Sequence, residues 1–257
     1  MAIYKDVTHL PARLWIVRHG ESAGNVARDK ALREGAPRIA LESRDVDVPL
    51  SSLGEHQSDA LGKWFANASA KPQVIIASPY RRARDTAIRV MQAGGVEDRS
   101  RDLVSDERLR EKEFGILDGL TRTGIESVYP DQASFRTLLG KFYHRPPGGE
   151  SWCDVILRLR SVLDTLSLHF AGKRVLIVTH QVVVLCLRYL LEGLDERAIL
   201  EIDAAGDIAN CAVTEYGRSS SPDGKSAFAL VRYNNLAPLT DEGTPVTAAP
   251  DTKAAAP

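Results

Sequence analysis

The sequence predicts an α/β fold: a three-layer α/β/α sandwich around a mostly parallel sheet. Two observations carry the prediction. Residues 14–17, 74–77 and 175–178 are short, continuously apolar runs, the pattern of strands buried on both faces. Between them lie longer stretches whose apolar residues recur at helical spacing. A third observation gives the sheet a functional edge. The runs end in polar corners, at Arg18-His19, at Ser78 followed by Arg82, and at His180. Ligands of open α/β sheets bind at that carboxyl edge.

In chain order, residues 1–12 read as a loose lead-in, with Pro11 just before the first strand. Gly20 permits a sharp turn or a close approach. Residues 21–33 follow as a short helix, with Asn25 near its beginning. Residues 35–49 contain Gly-Ala-Pro and a charged stretch, the pattern of a long loop that can fold over a site. A capping box of Ser52 and Glu55 opens the next helix. Its Ala60, Leu61, Trp64 and Phe65 form a face suited to packing on a sheet. The second strand, between Pro72 and Pro79, leads into a helix striped by Ala83, Ala87, Val90 and Met91, which Gly94-Gly95 ends.

Residues 110–115 are dense in charge and close on Gly115. Residues 121–129 and 131–139 read as poorly amphipathic helices within an insertion near 112–147. A helix over 152–170 carries Val155, Ile156, Leu159, Val162, Leu163 and Leu166 on one face. The clearest strand, 174–179, is followed by a helix over 182–190. Residues 209–216 and 227–233 read as a further pair of strands, a hairpin around 219–224. From about Pro238 the chain is rich in Pro, Thr, Ala and Asp. The reading is therefore one domain over 1–237 and a disordered tail over 238–257. Deleting 240–257 is expected to leave activity unchanged.

The 257 residues carry a net charge of −1, which gives no sign of a nucleic-acid or membrane partner. The longest apolar stretch, 175–187, is short and is interrupted by Thr179-His180-Gln181, so it does not span a bilayer. Asp6 lies early, and no apolar core of signal length follows, so no secretory peptide is expected and the location reads as cytoplasmic. Cys153, Cys186 and Cys211 are widely spaced without a metal-binding pair, and read as buried free thiols of a reducing compartment. No metal and no cofactor is expected, and nothing in the sequence specifies an oligomeric state.

Two arginines and two histidines would converge at the carboxyl edge. Arginine forks bind phosphoryl oxygens bidentately and imidazoles support them. The carboxylate cluster of a magnesium site is missing. So is a Gly-x-x-x-x-Gly-Lys-Ser/Thr loop. A small phosphorylated substrate is the expected partner.

Five ordered pieces resemble the histidine phosphatase superfamily, in its phosphoglycerate mutase-like branch. They are Arg18-His19-Gly20-Glu21-Ser22 with Asn25, residues 78–87, Leu109-Arg110-Glu111, Gly148-Gly149-Glu150-Ser151, and Val178-Thr179-His180. The resemblance covers about residues 13–190 and implies a phosphoglycerate mutase-like sandwich. It implies that His19 is the nucleophile and becomes phosphorylated, with Arg18, Arg82 and His180 completing the phosphate pocket. Asn25, Ser22 and Gln181 join the substrate-binding set, and Glu111 matches the proton donor, with Glu107 and Glu113 as rivals. The Gly20 carbonyl is expected to fix the tautomer of His19. Glu150 reads as an acid favoured by a helix dipole. Arg81 and Arg84 read as solvated, and His9, His56, His144 and His169 as structural or surface residues.

A phosphoglycerate mutase follows its acid with Arg-His-Tyr-Gly and carries a later arginine pair. Here Lys112-Glu113-Phe114-Gly115 follows, and Arg136 and Arg145 stand singly. Glu113 is expected to repel a carboxylate-bearing substrate. The favoured reading is therefore a metal-independent phosphomonoesterase of small metabolites. A cofactor-dependent phosphoglycerate mutase is the alternative, since Arg122, Lys112 or Arg44 can bind an acidic substrate. A non-catalytic phosphate-binding module is disfavoured by the intact His19, Glu111 and His180.

Overall fold

Alternation along the central strands builds the two helical layers. In the computed structural model, which describes residues 9–97, 103–220 and 226–248, strands β1 (Arg13–Arg18), β2 (Val74–Ala77), β3 (Val104–Ser105) and β4 (Arg174–Thr179) run parallel. Strands β5 (Val213–Ser220) and β6 (Ser226–Asn235) add an antiparallel hairpin beside β1. The sheet order is β3-β2-β4-β1-β5-β6.

Leu14, Ile16, Val74, Ile76, Val175 and Ile177 share one core with α6 (Trp152–His169) and α7 (Gln181–Glu192). Trp15, Val17, Ile75, Ala77, Leu176 and Val178 share the other with α2 (Ser52–Asn67) and α3 (Arg81–Gln92). That is the expected three-layer sandwich. Helix α1 (Ala23–Arg33) follows the first strand's corner. Helices α4 (Arg122–Val128) and α5 (Pro130–Tyr143) form the insertion, where Leu117, Leu120 and Ile125 make a small core of their own.

Several elements differ from expectation for local reasons. Ser51, not Ser52, caps α2, its hydroxyl accepting from the Gly54 amide. The strand expected from residue 209 starts at Val213, because Cys211 turns the chain at φ 58°. The edge strand β3 and helix α8 (Glu196–Ala205) had no clear apolar signature. Of the three thiols, Cys186 and Cys211 are buried and Cys153 is only half-buried.

The tail reading is corrected for residues 238–248. Helix α9 (Ala237–Thr240) buries Leu239 completely against the Trp15 face of the sheet. Beyond it, the Pro245 carbonyl and Thr247 are hydrogen-bonded to Gln57 and Asn210. Composition counts the apolar groups a segment can bury, but this segment is held largely by polar partners. The rest of the expected tail, 249–257, the lead-in over 1–8 and the hairpin tip at 221–225 lie outside the described residues. Among the described residues, no helix is long and apolar enough to cross a membrane.

Candidate active site

The carboxyl ends of β1, β4 and β2 deliver Arg18-His19, Thr179-His180 and Ser78 to one place. All of them are fully buried. The imidazoles of His19 and His180 meet edge to face, with centroids 5.1 Å apart. His180 is fixed by its Nε2 contact with Ser78 Oγ, 2.8 Å. Its ring also meets that of Tyr80 at 5.2 Å.

Partners of fixed polarity define the state of His19. Its Nδ1 lies 2.7 Å from the Gly20 carbonyl, which can only accept, so Nδ1 carries the proton. Its Nε2 receives the Arg82 Nε–H at 3.1 Å, and guanidinium can only donate, so Nε2 carries a lone pair. The imidazole is neutral, and its unprotonated nitrogen faces an arginine. The Gly20 carbonyl expected to set this tautomer is in place.

The turn itself is tightly packed. Gly20 N donates to Thr86 Oγ1 at 3.0 Å, and a Cβ at Gly20 would sit 2.4 Å from the Gly54 carbonyl oxygen. Only glycine lets α2 approach the turn this closely.

Arg82, on the first turn of α3, has a side chain only 3% exposed. While its Nε faces His19, its Nη1 and Nη2 grip the Asp45 carboxylate at 3.0 and 3.1 Å. Nη1 also donates to the Asp45 carbonyl at 2.7 Å. The 35–49 segment thus folds over the site as its composition suggested, and Asp45 holds the outer end of the fork. Arg18, buried and next to His19 in sequence, donates to the Ile208 carbonyl at 2.6 Å.

Glu111 is 2% exposed and accepts from the Lys112 amide at 2.7 Å. Its segment is tied along the sheet edge, with Asp106 N donating to the Ala77 carbonyl and Thr179 Oγ1 to that of Leu109. Arg158 Nη2 donates to the Glu111 carbonyl. Glu150, which directly precedes the Ser151 cap of α6, is also the anchor of this arrangement. It accepts from Arg158, Arg110 and the Glu113 amide. Burial opposes its charge, but those donors overcome burial and hold its pKa below the ordinary carboxylate range.

Glu113, the rival acid, is turned onto Tyr80, whose hydroxyl donates to it at 2.8 Å. Burial first, and then this carboxylate, push the Tyr80 pKa upward, so Tyr80 stays a donor. Arg110 lies 3.5 Å from Glu113 and weakens the repulsion expected toward an acidic substrate.

Some predicted binding residues have structural work. Ser22 caps α1 in a reciprocal box with Asn25, whose Oδ1 accepts from Ser22 N and Oγ at 2.9 Å. Gln181 donates to Asp207 at 2.8 Å. Asp45, Tyr80, Thr86 and Asn210 were not singled out by sequence reasoning. They act across long stretches of chain, and no spacing marks them.

Lys112, next to the buried acid, gives a pH prediction. Burial, then Arg136, lower its pKa to about 8 from 10.5. Below about 8 the folded protein bears the full cost of the buried charge. Between these values the unfolded chain keeps a proton that the folded one releases, so stability rises with pH. Lys112→Met is expected to stabilise the fold at neutral pH by about 3 kcal/mol. Paired urea melts should show the gain shrinking as pH rises from about 8 and absent above 10.5.

Comparison with known proteins places the chain in a family. The profile of the histidine phosphatase superfamily (branch 1) matches residues 14–235. A protein called probable phosphoglycerate mutase, from Photorhabdus laumondii, is 30% identical over 212 residues, covering 82% of this chain and 86% of its own. A like-named protein of Yersinia enterocolitica shows the same identity and coverage. A mycobacterial glucosyl-3-phosphoglycerate phosphatase, solved with inorganic phosphate, superposes at TM-score 0.64 and 25% identity, over 88% of this chain and 99% of its own. With the profile spanning most of the sequence, the chain belongs to branch 1 of the histidine phosphatase superfamily and is an enzyme of the phosphatase type.

Proposed function

We propose that the protein is a metal-independent phosphomonoesterase of small phosphorylated metabolites, working through a phosphohistidine on His19. The observation that carries this reading is the Nδ1–H tautomer of His19, held by the Gly20 carbonyl with Nε2 toward Arg82. A neutral imidazole with its lone pair set by two flanking partners is a prepared nucleophile.

In the first step Nε2 attacks phosphorus and the ester P–O bond breaks. Glu111, as the carboxylic acid, gives its proton to the departing alkoxide. Arg18, Arg82 and His180 stabilise the phosphoryl oxygens in flight. In the second step Glu111, now a carboxylate, takes a proton from water as the water oxygen attacks phosphorus. The P–N bond breaks, its electron pair returns to Nε2, and inorganic phosphate leaves. The arginines supply the positive charge that a metal supplies in other phosphoryl-transfer sites, and His180 adds a hydrogen bond.

Turnover of p-nitrophenyl phosphate and 3-phosphoglycerate in EDTA tests the reading. Phosphate release unaffected by EDTA is the expected result. The names of the curated relatives favour a second reading, a cofactor-dependent mutase. Interconversion of phosphoglycerates primed by a bisphosphoglycerate would establish it instead.

Glu111→Gln separates the acid role from mere charge. With an alkyl phosphate, whose leaving group needs a proton, kcat is expected to fall by about 10²–10⁴-fold. With p-nitrophenyl phosphate, whose leaving group needs none, the first step survives. A burst of nitrophenol should then precede slow hydrolysis of the phosphoenzyme. Equal losses on both substrates, without a burst, would remove Glu111 from the acid role.

A further inference from the structure

Segment 245–247, far from the catalytic turn in sequence, is joined to it by a relay of hydrogen bonds. The relay begins at the Glu21 backbone N–H, which donates to Gln57 Oε1 at 2.9 Å. That contact turns the other end of the Gln57 amide outward. Its Nε2 donates to Thr247 Oγ1 at 2.9 Å and to the Pro245 carbonyl at 3.0 Å. The Thr247 hydroxyl, having accepted, donates to Asn210 Oδ1 at 3.0 Å. Asn210 then donates through Nδ2 to the His19 carbonyl at 2.9 Å. The backbone also joins in, with Asn210 N donating to the Thr247 carbonyl at 2.8 Å. Gln57 and Asn210 are both completely buried.

The two ends of the relay are backbone groups of fixed polarity, a donor at Glu21 and an acceptor at His19. Every amide orientation between them follows. The middle position needs a group that accepts and donates at once, which a hydroxyl does and a methyl does not.

What the relay holds is the catalytic turn. The Glu21 N–H belongs to the same planar peptide as the Gly20 carbonyl. Holding the N–H on one side aims that carbonyl on the other, where it fixes Nδ1–H of His19. The His19 carbonyl belongs to the preceding peptide. The relay therefore clamps both peptides that flank Gly20.

We propose that Thr247 is a positioning residue for His19, and that the C-terminal segment carrying it is a working part of the active site. The proposal concerns the turn's geometry and, for its effect on turnover, rests on the hydrolytic reading given above. Loss of the hydroxyl leaves buried amide groups of Gln57 and Asn210 poorly satisfied. The Gly20–Glu21 peptide is then free to rock, and Nδ1–H of His19 loses its fixed acceptor, which leaves Arg82 alone to orient the ring. Binding of the phosphoryl group by the arginines is not directly touched.

The test uses Thr247→Val, which removes the hydroxyl at nearly constant shape, and Thr247→Ser, which restores it. A chain ending at Ala248 keeps the whole relay and serves as the control for the end of the chain. With p-nitrophenyl phosphate, Thr247→Val is expected to lower kcat about tenfold with KM nearly unchanged. Thr247→Ser and the shortened chain should stay near wild type. Imidazole NMR of histidine-labelled protein reads the turn without any turnover. The His19 signal, assigned by its absence in His19→Asn, should report the Nδ1–H tautomer in wild type and Thr247→Ser. In Thr247→Val the Nδ1–H signal should shift and broaden, as its hydrogen bond to the Gly20 carbonyl weakens.

If Thr247→Val folds poorly, Gln57→Glu gives the same readout, since it keeps the acceptor for Glu21 and loses the donor to Thr247. An unchanged His19 signal and kcat in Thr247→Val would overturn the proposal. So would Thr247→Ser being as impaired as Thr247→Val. Should no form turn over any ester, the hydrolytic reading fails, and the NMR comparison still decides whether Thr247 positions His19.

Discussion

His19→Asn is expected to lower kcat for phosphate release by about 10⁴-fold or more, to background, while the protein folds and melts almost as wild type. The size follows from the mechanism. Without Nε2 there is no covalent intermediate, and water must attack the ester directly in a pocket shaped for an imidazole. Asparagine is smaller and polar, and its amide can still donate toward the Gly20 carbonyl that Nδ1 faces in the wild type. The architecture of the turn is thereby preserved. Binding of inorganic phosphate, measured by titration calorimetry, should persist. Residual turnover within about tenfold of wild type would show that His19 is not the nucleophile.

Arg82→Ala is expected to lower kcat/KM by about 10²–10³-fold. Arg82 touches Nε2 of His19 through Nε and anchors the overlying segment through Asp45, so one substitution disturbs both. Arg82→Lys restores the charge without the planar fork and should recover only part of the loss. The Asp45 side chain is 43% exposed, so on losing its partner it is resolvated rather than left as a buried charge. The melting temperature should therefore move little while turnover collapses. Steady-state kinetics beside a thermal melt would show the separation. A large melting shift with modest kinetic loss would mark Arg82 as structural.

The parts of the site that stood out in the sequence share one cause. Strands β1, β2 and β4 are buried on both faces, so their runs are continuously apolar, and the first polar residues after each run mark the sheet edge. Arg18, His19, Ser78 and His180 were placed by that rule. Glu111 needed the family resemblance, because its neighbours are charged residues of the same kind.

Other residues had no local signal. Asp45 reaches Arg82 across 37 positions, and Asn210 reaches His19 across 191. Glu150 does precede the cap of α6, but its partners Arg158 and Arg110 lie 8 and 40 positions away and no spacing marks them. Residues 238–248 were misread because Thr247 and Pro245 are held by hydrogen bonds, which composition does not register. Helical periodicity describes a chain against its own axis. Contacts between distant segments are decided by topology, here the order β3-β2-β4-β1-β5-β6, which brings residues near both ends of the chain beneath one turn.

The most direct test of the account is acid-sensitivity mapping of the phosphoenzyme. The enzyme is mixed with a radiolabelled phosphomonoester in EDTA and denatured in alkali within the first turnover, and the labelled peptide is then sequenced by mass spectrometry. The account predicts a label that survives alkali, is lost in acid, and resides on His19. With labelled p-nitrophenyl phosphate, whose leaving group needs no proton, Glu111→Gln should accumulate more of this label than wild type. Rapid phosphate release with no labelled enzyme, or with the label on any residue other than His19, would contradict it.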